Sequence, residues 1–420
     1  MRIAFVTETW KPQINGVVTR IASSIDELLA AGHEVLVVAP KTGAADAGVP
    51  EVPGLTVVRV PAFHISWVYG GQPWGLPLPR VRKALASFAP DLVHVVSPFV
   101  LGIAGVLGAR RLRLPLVCSF HTDIAAYSTS YHLGWSRPII WRVLAALHNA
   151  AAVNLVTSRH SEALLTRHGV RNIRLWQRGV DLARFRPGPA SADAVSAAAE
   201  TARETGPASV GAASPVGARR EVPAHRPAPR ALYVGRLADE KRISSLLPLA
   251  RSGAVRLTLV GDGPDRARLE QEFASTGTEF TGSLTGDALA ARYAEADVFV
   301  FTSTTETLGL VLIEALASGL AVVAVESPAS RELLDGLPIA RLVPGARPEG
   351  FIDAVTDVLA HGTRDERAAL ARREAVAWSW ANATQQLLGY YADVVAPSVR
   401  SQLEAAADPR ASGADGMRQA

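Results

Sequence analysis

The chain carries one cysteine and two methionines in 420 residues. A lone thiol, Cys118, excludes an intramolecular disulfide framework and a cysteine-based structural zinc site, and it suits a reducing compartment. Met1-Arg2-Ile3-Ala4-Phe5-Val6 enters a strand-like run without a cleavable leader, so a cytoplasmic protein is expected. A clean membrane span is also lacking. The longest uncharged stretch, Leu92 to Ala109, is broken by Pro98 and Gly102 and diluted by His94 and Ser97. It predicts a strand, a turn and a buried helix in a soluble protein. Thr7-Glu8-Thr9-Trp10 and Val260-Gly261-Asp262-Gly263-Pro264 both follow predicted strands, and neither has the G-x-G-x-x-G spacing of a dinucleotide site. Their absence counts against a nicotinamide or flavin dehydrogenase. No Asp-x-Asp element follows a strand, so no essential metal and no cofactor are expected.

What is present is globular: 48% apolar and 20% charged residues. The length predicts two domains of about 150–200 residues each. Net charge is +4, but residues 1–186 hold 20 Lys/Arg against 10 Asp/Glu, and residues 231–420 hold 18 against 25. A basic N-terminal half fits either an Arg-rich solvated face or reversible contact with an anionic membrane or acceptor. The basic residues are not interleaved with aromatics as in a nucleic-acid module, so no nucleic-acid partner is expected.

Short apolar runs alternate with helical segments. Arg2–Val6, Val35–Ala39, Leu55–Val60, Leu92–Val96, Leu116–Phe120 and Arg174–Trp176 read as strands, with a helix over Val17–Ala31 stopped at Gly32. Alternation resumes with strands at Ala231–Val234, Leu257–Val260, Val298–Phe301 and Ala321–Val325. Helices are predicted at Arg266–Thr276, Asp287–Ala294, Leu310–Ala317, Ala368–Trp378 and Thr384–Val394. This is the pattern of mostly parallel sheets covered on both faces. Between the two halves, residues 187–230 contain 13 Ala and 7 Pro and no Leu, Ile or aromatic residue. Such a segment buries too little apolar surface to order itself, and a mobile linker or insertion is expected. The predicted organisation is a domain over 1–186, that linker, a second domain over 231–382, a helix over 383–396 and a disordered tail over 397–420.

The chemistry concentrates in a few turns. Glu306 and Glu314 flank a Thr/Gly-rich turn that opens an apolar helix, where the N–H groups of Gly309, Leu310 and Val311 are suited to an anion such as a diphosphate. Gly235-Arg236 and Lys241 directly follow a predicted strand, where Arg and Lys can converge on phosphate. Asn15-Gly16 begins the first helix. His121, followed by Thr122 and Asp123, ends a strand at the edge where α/β sites lie. Residues 63–74, with Phe63, Trp67, Tyr69 and Trp74, read as an apolar acceptor wall.

Together with Arg178-Gly179-Val180-Asp181, Phe185 and Pro187, these elements resemble the retaining GT-B glycosyltransferases of family 4 over nearly the whole ordered chain. Within that family the chain is most similar to actinobacterial GDP-mannose-dependent α-mannosyltransferases acting on lipid acceptors. The resemblance implies an α/β GT-B fold, two Rossmann-like domains facing across a cleft. It implies a catalytic pair in which Glu306 contacts the transferred sugar and His121 lies near its primary hydroxyl. Glu314 would bind the ribose, Arg236 and Lys241 the diphosphate with help from Gly309, Leu310 and Val311, and Gly16 would give the diphosphate room. The partners would be GDP-mannose or another nucleotide-sugar and a lipid or glycolipid acceptor, at the inner face of the plasma membrane. One departure is Pro328-Ala329-Ser330-Arg331-Glu332, which stands where the family carries a glycine pair. The alternatives are a UDP-sugar-dependent glucosyl or sulfoquinovosyl transferase, a nucleotide-sugar epimerase or hydrolase, and a non-catalytic nucleotide-sugar-binding subunit.

Overall fold

A computed structural model describes residues 1–13, 15–43, 52–64, 73–76, 79–121, 134–188, 228–304, 309–345 and 347–407, with side chains to residue 396. Glu306, the core of the apolar wall at 65–72, Thr122, Asp123, most of the 187–230 segment and the end of the tail lie outside the described residues. The chain forms two compact units, Met1–Gly179 with Trp378–Ala420, and Val180–Ala377.

The first unit runs β1 (Arg2–Thr7), α1 (Gly16–Ala30), β2 (Glu34–Pro40), β3 (Leu55–Val60), β4 (Ala62–His64), β5 (Pro73–Gly75), α2 (Pro79–Phe88), β6 (Leu92–Val96) and α3 (Val100–Arg111). It continues through β7 (Leu116–Phe120), α4 (Arg137–His148), β8 (Val153–Val156), α5 (Arg159–Arg167) and β9 (Ile173–Leu175). Seven strands pair in the order β3-β2-β1-β6-β7-β8-β9, all parallel, while β4 and β5 form a separate antiparallel hairpin. Alternate strand residues feed two cores. Ile3, Phe5, Val35, Val37 and Val117 pack with Ile21, Ile25 and Leu28 of α1, whereas Ala4, Val6, Leu36, Val38 and Val95 pack with Val81, Leu85, Leu101 and Val106 of α2 and α3. The uncharged 92–109 run therefore resolves into the predicted strand, turn and helix. Gly105 of α3 lies so close to the sheet that a Cβ there would sit 3.0 Å from Val6 and from Val95.

The second unit runs β10 (Arg230–Val234), α6 (Leu247–Arg251), β11 (Arg256–Val260), α7 (Arg266–Glu272), β12 (Glu279–Gly282), α8 (Gly286–Glu295) and β13 (Val298–Phe301). It closes with α9 (Leu310–Ala317), β14 (Ala321–Val325), α10 (Pro328–Leu334), β15 (Ala340–Val343), α11 (Gly350–Ala360) and α12 (Arg364–Val376). Its six strands are parallel in the order β12-β11-β10-β13-β14-β15. Each unit is thus a Rossmann-like sheet with one topological switch point, between β1 and β6 in the first and between β10 and β13 in the second.

Three expectations need adjustment. The chain leaves the first unit at Gly179 rather than residue 186, because residues 182–188 bind the second unit: Arg372 of α12 donates to the carbonyls of Leu182, Phe185 and Ala317. The closing helix, expected over 383–396 with a disordered tail from 397, is α13, Trp380–Ala407, and it continues past Pro397. The Pro328 segment is the first turn of α10, with Pro at an N-terminal position where its missing N–H costs no hydrogen bond, and with a Ser327–Ser330 capping box. The edge strands β12 and β15 and the helices α2, α4, α5, α10 and α11 were not anticipated. Short edge strands such as Glu279–Gly282 carry little apolar patterning.

Helix α13 completes the first core with Leu387, Tyr391 and Val394. Trp176 Nε1 donates to the Ala383 carbonyl at 3.0 Å, and Tyr390 donates to the Leu175 carbonyl at 2.8 Å. Leu387 is fully buried, so Leu387→Ala is expected to cost about 2–5 kcal/mol in urea unfolding, against under about 0.5 kcal/mol for exposed Gln385→Ala. Equal effects from both variants would contradict the packing of this helix.

Candidate active site

In the second unit the predicted phosphate elements follow β10 and β13, the two strands that flank the switch point. Gly235 and Arg236 leave β10, and the chain turns through a 3-10 helix at Asp239–Lys241. Neighbouring glycines fix the path of that loop. A Cβ on Gly261, whose φ is +145°, would fall 1.9 Å from the Gly235 carbonyl oxygen, and one on Gly263 would fall 2.3 Å from that of Leu237. Backbone bonds Gly235 N–H to Val260 O (3.0 Å) and Leu237 N–H to Asp262 O (2.9 Å) complete the seam. The Gly261-Asp262-Gly263 turn thus supports the Arg236 loop. From the β13 side, the buried Thr302 hydroxyl donates to the Lys241 carbonyl at 2.5 Å. Arg236 is half-exposed and pairs with Glu240.

Helix α9 starts at Gly309 in the left-handed region, φ 58°, with no side-chain cap. Gly309 itself brings no capping side chain to the first-turn N–H groups of Leu310 and Val311, and residues 305–308 before it lie outside the described residues. Glu314 follows on the same helix. Its Oε2 accepts from the Tyr293 hydroxyl at 3.0 Å, and burial pushes its carboxyl up to about 7 despite that bond. Tyr293 is fully buried on α8 and lies edge-on to Phe185 at 5.4 Å. Sequence reasoning missed Tyr293. Its spacing of 21 residues from Glu314 carries no local signal.

The equivalent helix of the first unit is treated differently. After β6 comes α3, and Glu8, at the end of β1, accepts from the N–H of Leu101 in its first turn and from Gly75 N–H at 3.2 Å. This carboxylate is buried, and desolvation raises it to about 7. Helix α1 is capped as well: Asn15 Oδ1 accepts from Val17 and Val18 N–H, each at 3.0 Å. Gly16 is exposed at that helix start, and the donors after it are taken by Asn15.

His121 is buried at the end of β7 and held by a chain of hydrogen bonds. Its Nε2 meets Ser119 Oγ at 2.8 Å, Ser119 Oγ meets His94 Nε2 at 2.8 Å, and His94 Nδ1 meets Tyr391 of α13 at 2.6 Å. Arg20, also buried, donates to the Trp176 and Gln177 carbonyls and lies 3.7 Å over the Trp176 ring. Burial, reinforced by Arg20, drives His94 down to about 3 and His121 well below the usual imidazole range. Both rings are therefore neutral near pH 7, with one donor and one acceptor nitrogen each. His94, Ser119 and Tyr391 were not singled out from the sequence.

Arg236, Lys241, Gly309, Leu310, Val311 and Glu314 all belong to the second unit, and Gly16 and His121 belong to the first. Among the described residues no group of three or more His, Cys, Asp and Glu is placed to hold a metal ion, and no helix is long and apolar enough to cross a membrane.

Residues 14–184 match the Glycosyltransferase Family 4 model, and residues 228–361 match Glycosyl transferases group 1. A GDP-mannose-dependent alpha-mannosyltransferase of Mycobacterium tuberculosis is 36% identical over 93% of this chain and 96% of the relative. The chain belongs to glycosyltransferase family 4. A sulfoquinovosyl transferase of Arabidopsis thaliana is 30% identical over 92% of this transferase and 72% of the plant protein. The fold of the transferase is that of Anabaena Alr3699/HepE, solved in complex with UDP, at a TM-score of 0.70, 19% identity, 94% of this chain and 100% of the other. As a member of this family the protein is a glycosyltransferase of the GT-B class, which sets aside the epimerase and binding-subunit alternatives.

The raised Glu314 carboxyl has a stability consequence. A folded-state value above the unfolded 4.5 means that ionisation opposes folding, so stability is full below about pH 4.5 and declines as pH rises through 7. Glu314→Gln keeps the acceptor for Tyr293 and removes the ionisation. Its unfolding free energy relative to wild type is expected to rise from near zero at acid pH to at most about 3 kcal/mol above neutrality, read by urea denaturation without ligand. A difference independent of pH would overturn the assignment.

Proposed function

We propose that this enzyme transfers mannose from GDP-mannose to a hydroxyl of a lipid or lipid-linked acceptor, with retention of anomeric configuration, in the cytoplasm at the membrane surface. The observation that carries the donor side is that the Arg236–Lys241 loop and the α9 start, whose Gly309 brings no capping side chain, follow the two switch-point strands β10 and β13, while the corresponding helix of the first unit is occupied by Glu8. In this reading the diphosphate accepts from Leu310 and Val311 N–H and from Arg236 and Lys241. Glu314 binds the ribose hydroxyls, and the donor nucleotide belongs to the second unit.

The mannose donor is supported by the 36% identity to the mycobacterial mannosyltransferase. The acceptor is supported by the apolar hairpin β4–β5, where Phe63 pairs with Trp74 and remains 37% exposed. Glu306 contacts the sugar, and neutral His121 offers a hydrogen bond to its primary hydroxyl. In the reaction the acceptor oxygen forms a bond to the anomeric carbon as the bond to the diphosphate oxygen breaks. The electron pair leaves with the diphosphate, which also takes the acceptor's proton. Arg236, Lys241 and the α9 dipole stabilise the charge that develops there. No step uses a metal ion.

A UDP-sugar donor is the second reading, favoured by the 30% identity to the Arabidopsis sulfoquinovosyl transferase. Thermal-shift titration with GDP-mannose, UDP-glucose and UDP-sulfoquinovose separates them, because a ligand that binds only the folded state raises the midpoint according to its affinity. GDP-mannose is expected to give the largest shift. In radiolabelled mannose transfer, Lys241→Ala and Glu306→Gln are each expected to lower kcat/KM by about 100-fold or more. A larger shift with a UDP-sugar, or near-normal transfer by both variants, would sink the reading.

A further inference from the structure

Helix α4 is apolar on two sides. Its inner side, Trp141, Leu144 and His148, is buried, and Trp141 stacks between Phe120 and His168. Such a helix should present polar residues outward. Instead Trp135, in the turn that opens the helix, is 74% exposed, Ile139 is 55% exposed and Val143 is 46% exposed. Ile139 and Val143 stand four residues apart on one face of the helix, and Trp135 lies in the 3-10 turn just before it, so the three make an outer strip. They are three of the eight large hydrophobic side chains left exposed among the described residues. Exposed Arg137 and Arg142 are the charged residues of the helix, and no Asp or Glu occurs between Asp123 and Glu162.

We infer that this outer strip of α4 is a docking surface for an anionic lipid bilayer. The side-chain chemistry selects that occupant. An indole and two branched aliphatic groups suit the region between headgroups and acyl chains, and two arginines without acidic neighbours complement anionic headgroups. The basic balance of residues 1–186, 20 against 10, extends the same attraction over the unit. The 187–230 segment is a poor cover, since it has no Leu, Ile or aromatic residue to lay on the strip. The inference deepens the lipid-acceptor reading and rests on it for its purpose: docking holds the enzyme where such an acceptor is found. Trp135, Ile139 and Val143 are assigned no part in donor binding.

The test is co-flotation of the full chain, with neither donor nor acceptor present, on vesicles of equimolar phosphatidylglycerol and phosphatidylcholine and on pure phosphatidylcholine vesicles. The wild type is expected to float with the anionic vesicles. The triple variant Trp135→Ser, Ile139→Ser, Val143→Ser is expected to lose partitioning by about 10-fold or more. Arg137→Gln with Arg142→Gln is expected to weaken binding at low salt and to matter little at high salt, where surface charge is screened. The inference is overturned by a wild type that does not float with anionic vesicles or by a triple variant that partitions like wild type. It is also overturned if light scattering shows a wild-type dimer that the triple variant dissociates, which would make the strip an interface between copies. Thermal shift by GDP-mannose is expected to be the same in wild type and triple variant. Loss of that shift in both proteins, with flotation intact, would count against the donor reading and leave the docking surface standing.

Discussion

Backbone N–H groups at the start of a helix need an acceptor, and the described residues of the two units differ in what they place there. In the first unit the helix after the switch-point strand is closed by the buried Glu8 carboxylate. In the second, the helix in the corresponding place begins at Gly309, which has no side chain to turn back on it. Two sheets of one topology therefore differ in what stands at that helix start: a buried carboxylate in the first and a glycine N-cap in the second. In the proposed reading that difference leaves the second unit to take the nucleotide.

A diphosphate site in that place, as proposed, requires that the groups around it be held still. Gly261 and Gly263 let the loop after β11 press backbone to backbone against the loop after β10, and Thr302 ties the latter to β13. Arg236 and Lys241 consequently leave a short, fixed loop, which in the proposed reading limits the ordering cost of binding a diphosphate. Glu314 is fixed by Tyr293, and Tyr293 by its packing against Phe185 and Phe299. In the first unit, the last helix has a similar role. Its Tyr391 ends the hydrogen-bonded series that runs through His94 and Ser119 to His121, so the setting of a candidate sugar-contacting ring depends on a residue 270 positions later in the chain, by the difference 391 − 121.

Burial also sets the charges. His94 and His121 are kept neutral because water cannot solvate an imidazolium there and Arg20 is nearby. A neutral His121 has one donor and one acceptor nitrogen and is unsuited to act as a standing cation. Arg20 keeps its place by stacking on Trp176 and by donating to two carbonyls that end the first unit's sheet.

The sequence by itself determined the parallel sheets, because strands buried on both faces must be nearly continuous apolar runs. Leu92–Val96, Leu116–Phe120, Val298–Phe301 and Ala321–Val325 were legible to the residue for that reason. It also singled out the Gly235-Arg236 to Lys241 segment as a loop directly after a strand, where the structure places it. Tertiary structure alone decided which carboxylate closes the α3 start, which hydroxyl holds Glu314 and where the chain changes unit. Glu8 and Leu101 stand 93 residues apart and His94 and Tyr391 stand 297 apart. Contacts of that span are set by the order of strands in a sheet, and strand order leaves no periodic trace along the chain.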